Sequence, residues 1–201
     1  MKLEPTQELA EAAQNLVRVN NYLKAEMQYL IEPLRDVGDS EQEADAIMFS
    51  IRAAIRAEIS HIEAICYLLR RMVLALKKEE LIKCFDDTDV LTLQDLKVDR
   101  NNRSKLVPYL STTKAGLDFS FSSFARIFTD SYTLQKGDQG WESFLKALSI
   151  RNDITHPKGR RGLIISPEEF EHVKKTDTWF TSETNRLLKM AKEENGFLKN
   201  K

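Results

Sequence analysis

Arg151 and His156, in the run Arg151-Asn152-Asp153-Ile154-Thr155-His156, are the residues of this chain best suited to chemistry. Arg stays protonated at any working pH and forks onto two phosphate oxygens, whereas His titrates near neutrality and can take or give a proton. Asn152 can orient either group or hold a phosphate oxygen. Directly after them, the turn Pro157-Lys158-Gly159-Arg160-Arg161 concentrates positive charge at Lys158, Arg160 and Arg161. With 30 basic residues against 31 acidic ones and a net charge of −1, any contact with a polyanion must be local, and this turn is where it would form.

A helix has to carry these groups. At about 100° per residue, Trp141, Phe144, Leu145 and Leu148 share one apolar arc, and the same helix continued puts Asn152 and Thr155 inside that arc. Arg151 then lies about 80° to one side of Trp141 and His156 about 60° to the other. The opposite side carries Ala147, Ile150 and Ile154, a second apolar patch, so the helix is expected to be sandwiched. Polar groups on an inward face need partners, because leaving one unpaired costs about 1–3 kcal/mol; a cleft shared with another helix or subunit would supply them. Taken as local structure alone, Arg151 and His156 would instead be helix-end side chains satisfying nearby carbonyls.

An Arg, a polar residue, three further residues and a His at the end of an aromatic-led helix resemble the motif of the HEPN superfamily of small all-helical domains. A second stretch, Ser60-His61-Ile62-Glu63-Ala64, is similar to the HEPN helix on which a small residue and a Glu three places later face the Arg-His helix. The resemblance covers mainly residues 141 to 158, with support from 44 to 76. It implies a metal-independent endoribonuclease of a toxin or antiviral defence type, with Arg151, Asn152 and His156 at its catalytic centre, Glu63 supporting them, and Lys158, Arg160 and Arg161 binding substrate. It also implies that two copies bring their motifs together in one composite cleft, so a homodimer is expected, with RNA as substrate, an antitoxin or sensor protein as a further partner, and no cofactor or metal. HEPN modules without nuclease activity also exist, so the alternative is a non-catalytic module that binds RNA, nucleotide or a protein. In some members a Tyr two residues after the His is modified by a partner nucleotidyltransferase; here that position is Lys158, and that route of regulation is not expected.

Cleaving RNA without a metal needs a base for the 2′-hydroxyl, an acid for the leaving 5′-oxygen, and donors for the charged phosphorane. One His per chain is thin provision for both proton transfers, and two copies would supply two. The chain has no glycine-rich phosphate loop, paired-Cys zinc motif or nucleophile elbow.

The composition favours the all-α fold that the resemblance implies. In 201 residues, 42% hydrophobic and 30% charged, only seven Gly and five Pro leave little room for sheet turns or linkers. We therefore expect one domain over 1–201, an antiparallel helical bundle of four to six helices with a long second helix. Cys66 and Cys84 form no disulfide framework, the Met1-Lys2-Leu3-Glu4-Pro5 start lacks the core of a signal peptide, and no apolar run reaches membrane length, so a cytoplasmic protein with no membrane partner is expected.

Along the chain, apolar spacing predicts a first helix from Thr6 to about Arg35, a turn at 36–39, and a Ser40-Glu41-Gln42-Glu43 capping box. The box opens a spine helix of about forty residues, ended by Leu81 to Phe85. On this spine Glu63 would alternatively be a surface carboxylate paired with Arg56, Arg70 or a neighbour. Asp86-Asp87-Thr88-Asp89 reads as a solvated turn, and the region to Leu110 yields no clear element. Phe121, Phe124 and Phe128 share helical spacing and are expected to fill core rather than stack on RNA bases. Asp138 is placed to cap the motif helix, Gly162-Leu163-Ile164-Ile165 suggests a short extended piece, and Ser166-Pro167-Glu168-Glu169 marks the start of the last helix.

Overall fold

The computed structural model describes residues 7–31, 41–76, 78–102, 104–109, 111–129 and 131–195. Among them the chain is an all-α helical bundle, about 78% helical, with seven α-helices and one small sheet. In order these are α1 (Gln7–Ile31), α2 (Glu41–Leu74), α3 (Lys78–Cys84), α4 (Asp87–Leu93), β1 (Leu96–Val98), β2 (Leu106–Pro108), α5 (Thr113–Phe128), α6 (Gln139–Thr155) and α7 (Pro167–Asn195). The turn expected at 36–39, the Ser40 cap and the Lys-rich end after Asn195 lie outside the described residues.

The helix starts follow from capping chemistry. Asp86, Thr112 and Asp138 each accept a backbone N–H three residues on, from Asp89, Ala115 and Trp141, and so satisfy a donor that the first turn leaves open. At α7 the box is reciprocal: Ser166 N–H donates to Glu169 Oε2 at 2.8 Å, and Glu169 N–H donates to Ser166 Oγ at 3.1 Å.

Two compact units make up the fold. The first takes in residues 1–17, 65–134 and 185–201. Its core includes the Phe121, Phe124 and Phe128 rings, all fully buried, with Phe124 and Phe128 centroids 4.4 Å apart. These rings are packing, and closed to a stacked base. The spine helix is shorter than expected: α2 ends at Leu74, Leu76 N–H bonds back three residues to Val73 O, and α3 starts separately. The bend lets Leu76, Leu81 and Phe85 all be buried, which one straight helix would not favour. In the unassigned region β1 and β2 pair antiparallel, Leu96 opposite Pro108 and Val98 opposite Leu106. Asp95, at φ 57, makes the left-handed corner between α4 and β1, and its carboxylate is tied to Arg70 at 2.9 Å. The acidic run is a cap and an ion pair: beside the Asp86 cap, Asp89 accepts from Arg126 at 3.1 Å.

The second unit comprises residues 18–64 and 135–184 and holds the candidate site. Its cross-helix contacts set the helix directions. Asn20 meets His61 while Lys24 bears on Glu58, so α1 runs against α2; Arg56 meets Ile154 while Glu63 meets Arg151, so α6 does too. The segments of α2 and α7 run the same way, since Glu58 and His61 lie beside Asp177 and Phe180 respectively. Alternating directions suit short-range helix packing around one apolar seam.

The aromatic end of that seam is Trp141, Phe144 and Trp179, with centroids 5.3 to 5.7 Å apart. Gly140 makes their approach possible, because a Cβ there would fall 2.3 Å from Trp179 Cδ1 and 2.6 Å from its Cβ. Gly140→Ala is expected to lower stability by about 1–3 kcal/mol by overpacking, despite Ala's better helix propensity. Urea denaturation checks the sign: a more stable variant would mean that Trp179 yields freely.

Candidate functional site

Of the two apolar sides expected of the motif helix α6, the smaller is buried along its length and the larger only at its start. Ser143, Ala147, Ile150 and Ile154, at spacings of four, three and four, face inward together with Trp141 and Phe144. Leu145 and Leu148 are half-buried, and Asn152 and Thr155, expected within the inward arc, are exposed. Asn152 lies about 170° from the centre of the buried stripe. The smaller patch wins because it continues without a polar residue to the end of the helix, whereas the larger one runs into Asn152 and Thr155 and would leave them unpaired. Thr155 instead donates to Arg151 O at 2.6 Å, a bond internal to the helix.

Arg151 is half-buried at the edge of the stripe, and its Nη2 donates to Glu63 Oε1 at 3.3 Å. Neither Arg56 nor Arg70 is bonded to Glu63. Arg56 donates to Ile154 O at 2.9 Å, and Arg70 is held by Ser120 and Asp95. Arg52, Arg56 and Glu63 fall within about 40° on one face of α2. That face grips the end of α6 and the chain beyond it: Arg52 donates to Leu163 O at 2.9 Å, Arg56 takes a carbonyl of the last α6 turn, and Glu63 holds Arg151. Arg52 and Arg56 were not among the expected site residues, although their four-residue spacing and their register with Glu63 were available in the sequence. Arg56→Ala is expected to cost about 1–2 kcal/mol through the lost charged donor at Ile154. It should also speed hydrogen exchange in residues 151–156, and unchanged exchange there would contradict this anchoring.

His156 caps the C-terminus of α6, its N–H donating to Asn152 O at 2.9 Å, and its side chain is exposed. Arg151 and Glu63 are thus brought together, while no hydrogen bond joins the His156 ring to either of them or to Asn152 among the described residues. Beyond the cap the chain forms a 3₁₀ turn, Arg160–Leu163, which takes up the first half of the extended piece expected at 162–165, while Ile164 is extended. Within the turn, a Cβ on Gly162 would fall 3.4 Å from Asp153 O. Lys158 and Arg161 line an open cavity of about 360 Å³ floored by Ile150 and Ile165 and edged by Asp153 and Glu169. The Arg160 side chain lies outside the described residues.

Elsewhere in this unit His172 is half-buried with Nδ1 3.2 Å from Ser143 Oγ. Among the described residues no group of three His, Cys, Asp or Glu side chains is placed to hold a metal ion. No described helix is long and apolar enough to cross a membrane.

No family model matches the chain, and no curated protein or solved structure matches it. Its function has to be argued from the site alone.

Proposed function

We propose that the chain is a HEPN-like, metal-independent endoribonuclease of a toxin or antiviral type, which acts as a homodimer with one composite Arg151/His156 cleft. The observation that carries this proposal is the 3.3 Å contact between Arg151 of the Arg-x4-His helix and Glu63 of the Ser60-to-Glu63 stretch. A carboxylate on a neighbouring helix restricts a long, flexible guanidinium and presents its remaining N–H groups in a defined direction. One turn on, an exposed imidazole and the cations Lys158 and Arg161 stand on the same end of α6.

In this scheme His156 of one copy takes the 2′-hydroxyl proton of the RNA as that oxygen attacks the adjacent phosphorus. The partner subunit's His156, protonated, gives its proton to the departing 5′-oxygen. The O2′–P bond forms and the P–O5′ bond breaks, leaving a 2′,3′-cyclic phosphate and a 5′-hydroxyl. Arg151 from each copy stabilises the phosphorane oxygens, and Asn152, exposed on the outer face of α6, reaches substrate rather than the core.

The test is incubation of purified protein with cellular RNA in chelator. Cleavage to cyclic-phosphate ends is expected, falling by about 10²–10⁴-fold in His156→Ala, the range for losing a proton-transfer group. RNA that is bound and left intact, with binding lost in Arg151→Ala, would replace the nuclease with a non-catalytic RNA-binding module.

A further inference from the structure

On the side of the second unit formed by α1, α2 and α7, three polar side-chain atoms of α2 are buried with no hydrogen-bond partner among the described residues. They are Glu58 Oε1, Glu58 Oε2 and His61 Nδ1, on residues that are both fully buried. Leaving such groups unmatched destabilises the packing that seals them. The element lying over them is the second half of α1. Among residues 18–30, Met27 is the one buried apolar side chain that α1 contributes there, with Val19, Leu23 and Leu30 half-buried. Two polar ties supplement them: His61 Nε2 donates to Asn20 Oδ1 at 3.0 Å, and Lys24 Nζ donates to Thr181 Oγ1 at 3.1 Å. A helix segment with one buried and three half-buried apolar side chains opens at lower cost than α2, which buries Ile51, Ala54, Ile55, Ile59 and Ile62 over a similar length.

We propose that residues 18–31 form a strap closed over Glu58 and His61, which opens as the Glu58 carboxyl loses its proton. Closed, the strap shields a neutral carboxyl; once ionised, that carboxylate has no donor inside and gains water only when α1 lifts. The charged groups facing the pair are Lys24 from α1 and Asp177 from α7. Asp177 works against the anion, and Lys24, whose ammonium is tied to Thr181 rather than to Glu58, offsets this only in part.

The pH window follows from the two groups. Burial, reinforced by Asp177, raises Glu58 to about 8, so the closed state keeps a proton that the open state gives up above the ordinary value of 4.5. The advantage of closure is therefore complete below 4.5 and is lost as pH rises through 8. Burial, reinforced by Lys24, lowers His61 from 6.5 to about 4, so its contribution to closure is present above 6.5 and lost as pH falls through 4. Between 4.5 and 6.5 the two slopes cancel. From 6.5 to 8 the Glu58 slope prevails, and with His61 half-titrated at 6.5 and Glu58 at 8 the open population rises about eightfold in all.

Amide hydrogen exchange of the full chain, corrected for intrinsic rates, tests this. Residues 18–31 should open far more often than residues 51–62 at every pH, with the rise of about eightfold between pH 6.5 and 8. Glu58→Gln and Glu58→Leu should each remove the rise, and either variant suffices if the other fails to fold. A rise that persists in the folded variant, a flat wild type, or protection of 18–31 equal to that of 51–62 would each overturn the strap.

Discussion

Replacing Phe144 with Ala is expected to lower the unfolding free energy by about 3–5 kcal/mol, the range for emptying a buried aromatic site. Phe144 is fully buried, and its ring lies 5.3 Å from Trp141 and 5.7 Å from Trp179, stacked on the latter. The two tryptophans are themselves edge to face at 5.7 Å, so the cavity would open inside a three-ring cluster joining α6 to α7. Gly140 already brings the helix start hard against Trp179, which limits how far the cluster can collapse to fill the void. Since both tryptophans of the chain report on this cluster, urea denaturation followed by their fluorescence reads the loss directly. A change under about 1 kcal/mol would mean that α6 is not anchored through its aromatic end.

The second large effect concerns activity with little change in stability. Arg151→Ala is expected to reduce RNA cleavage by about 10²–10³-fold, the usual loss when one donor to a developing oxyanion is removed. The same change should alter folding stability by no more than about 1 kcal/mol, because the Arg151 and Glu63 side chains are 25% and 49% exposed and such pairs contribute little. Arg151→Lys keeps the charge but loses the fork, and most of the deficit should remain. Glu63→Gln leaves the guanidinium in place with a weaker tether, and a smaller loss is expected. Equal losses in all three variants, tracking a fall in thermal stability, would instead assign Arg151 and Glu63 to holding α6 against α2.

The all-helical architecture was legible because it rests on local signals: apolar spacing, the Asp138 and Ser166-to-Glu169 caps, and few glycines and prolines. The hairpin Leu96–Val98 with Leu106–Pro108 was not, because its strands are three residues each, too short for period-two alternation to register. The break after Leu74 was also silent, with no Gly or Pro to mark it; burial of Leu76, Leu81 and Phe85 decides it. At the site, periodicity placed Arg151, Asn152 and His156 on one helix end but carried the larger apolar arc on to Asn152 and Thr155, which are exposed. Leu145 and Leu148 outweigh Ala147 in hydrophobicity, yet the seam admits the smaller residue. The grip of Arg52 and Arg56 on the carbonyls of Leu163 and Ile154 joins residues about a hundred positions apart, and a backbone acceptor has no sequence signature. His61 reads as a spine residue and Glu58 carries no signal of its own; only the packing of α1 and α7 reveals that both are sealed.

The composite cleft is tested most directly by mixing subunits. Wild-type protein is combined with inactive His156→Ala protein, the subunits are allowed to exchange, and RNA cleavage is followed in chelator at constant total protein. If each cleft needs His156 from both copies, activity follows the square of the wild-type fraction, and an equal mixture retains about one quarter. An equal mixture that retains about half, or a protein that sediments as a stable monomer at micromolar concentration, would contradict a shared Arg151/His156 cleft.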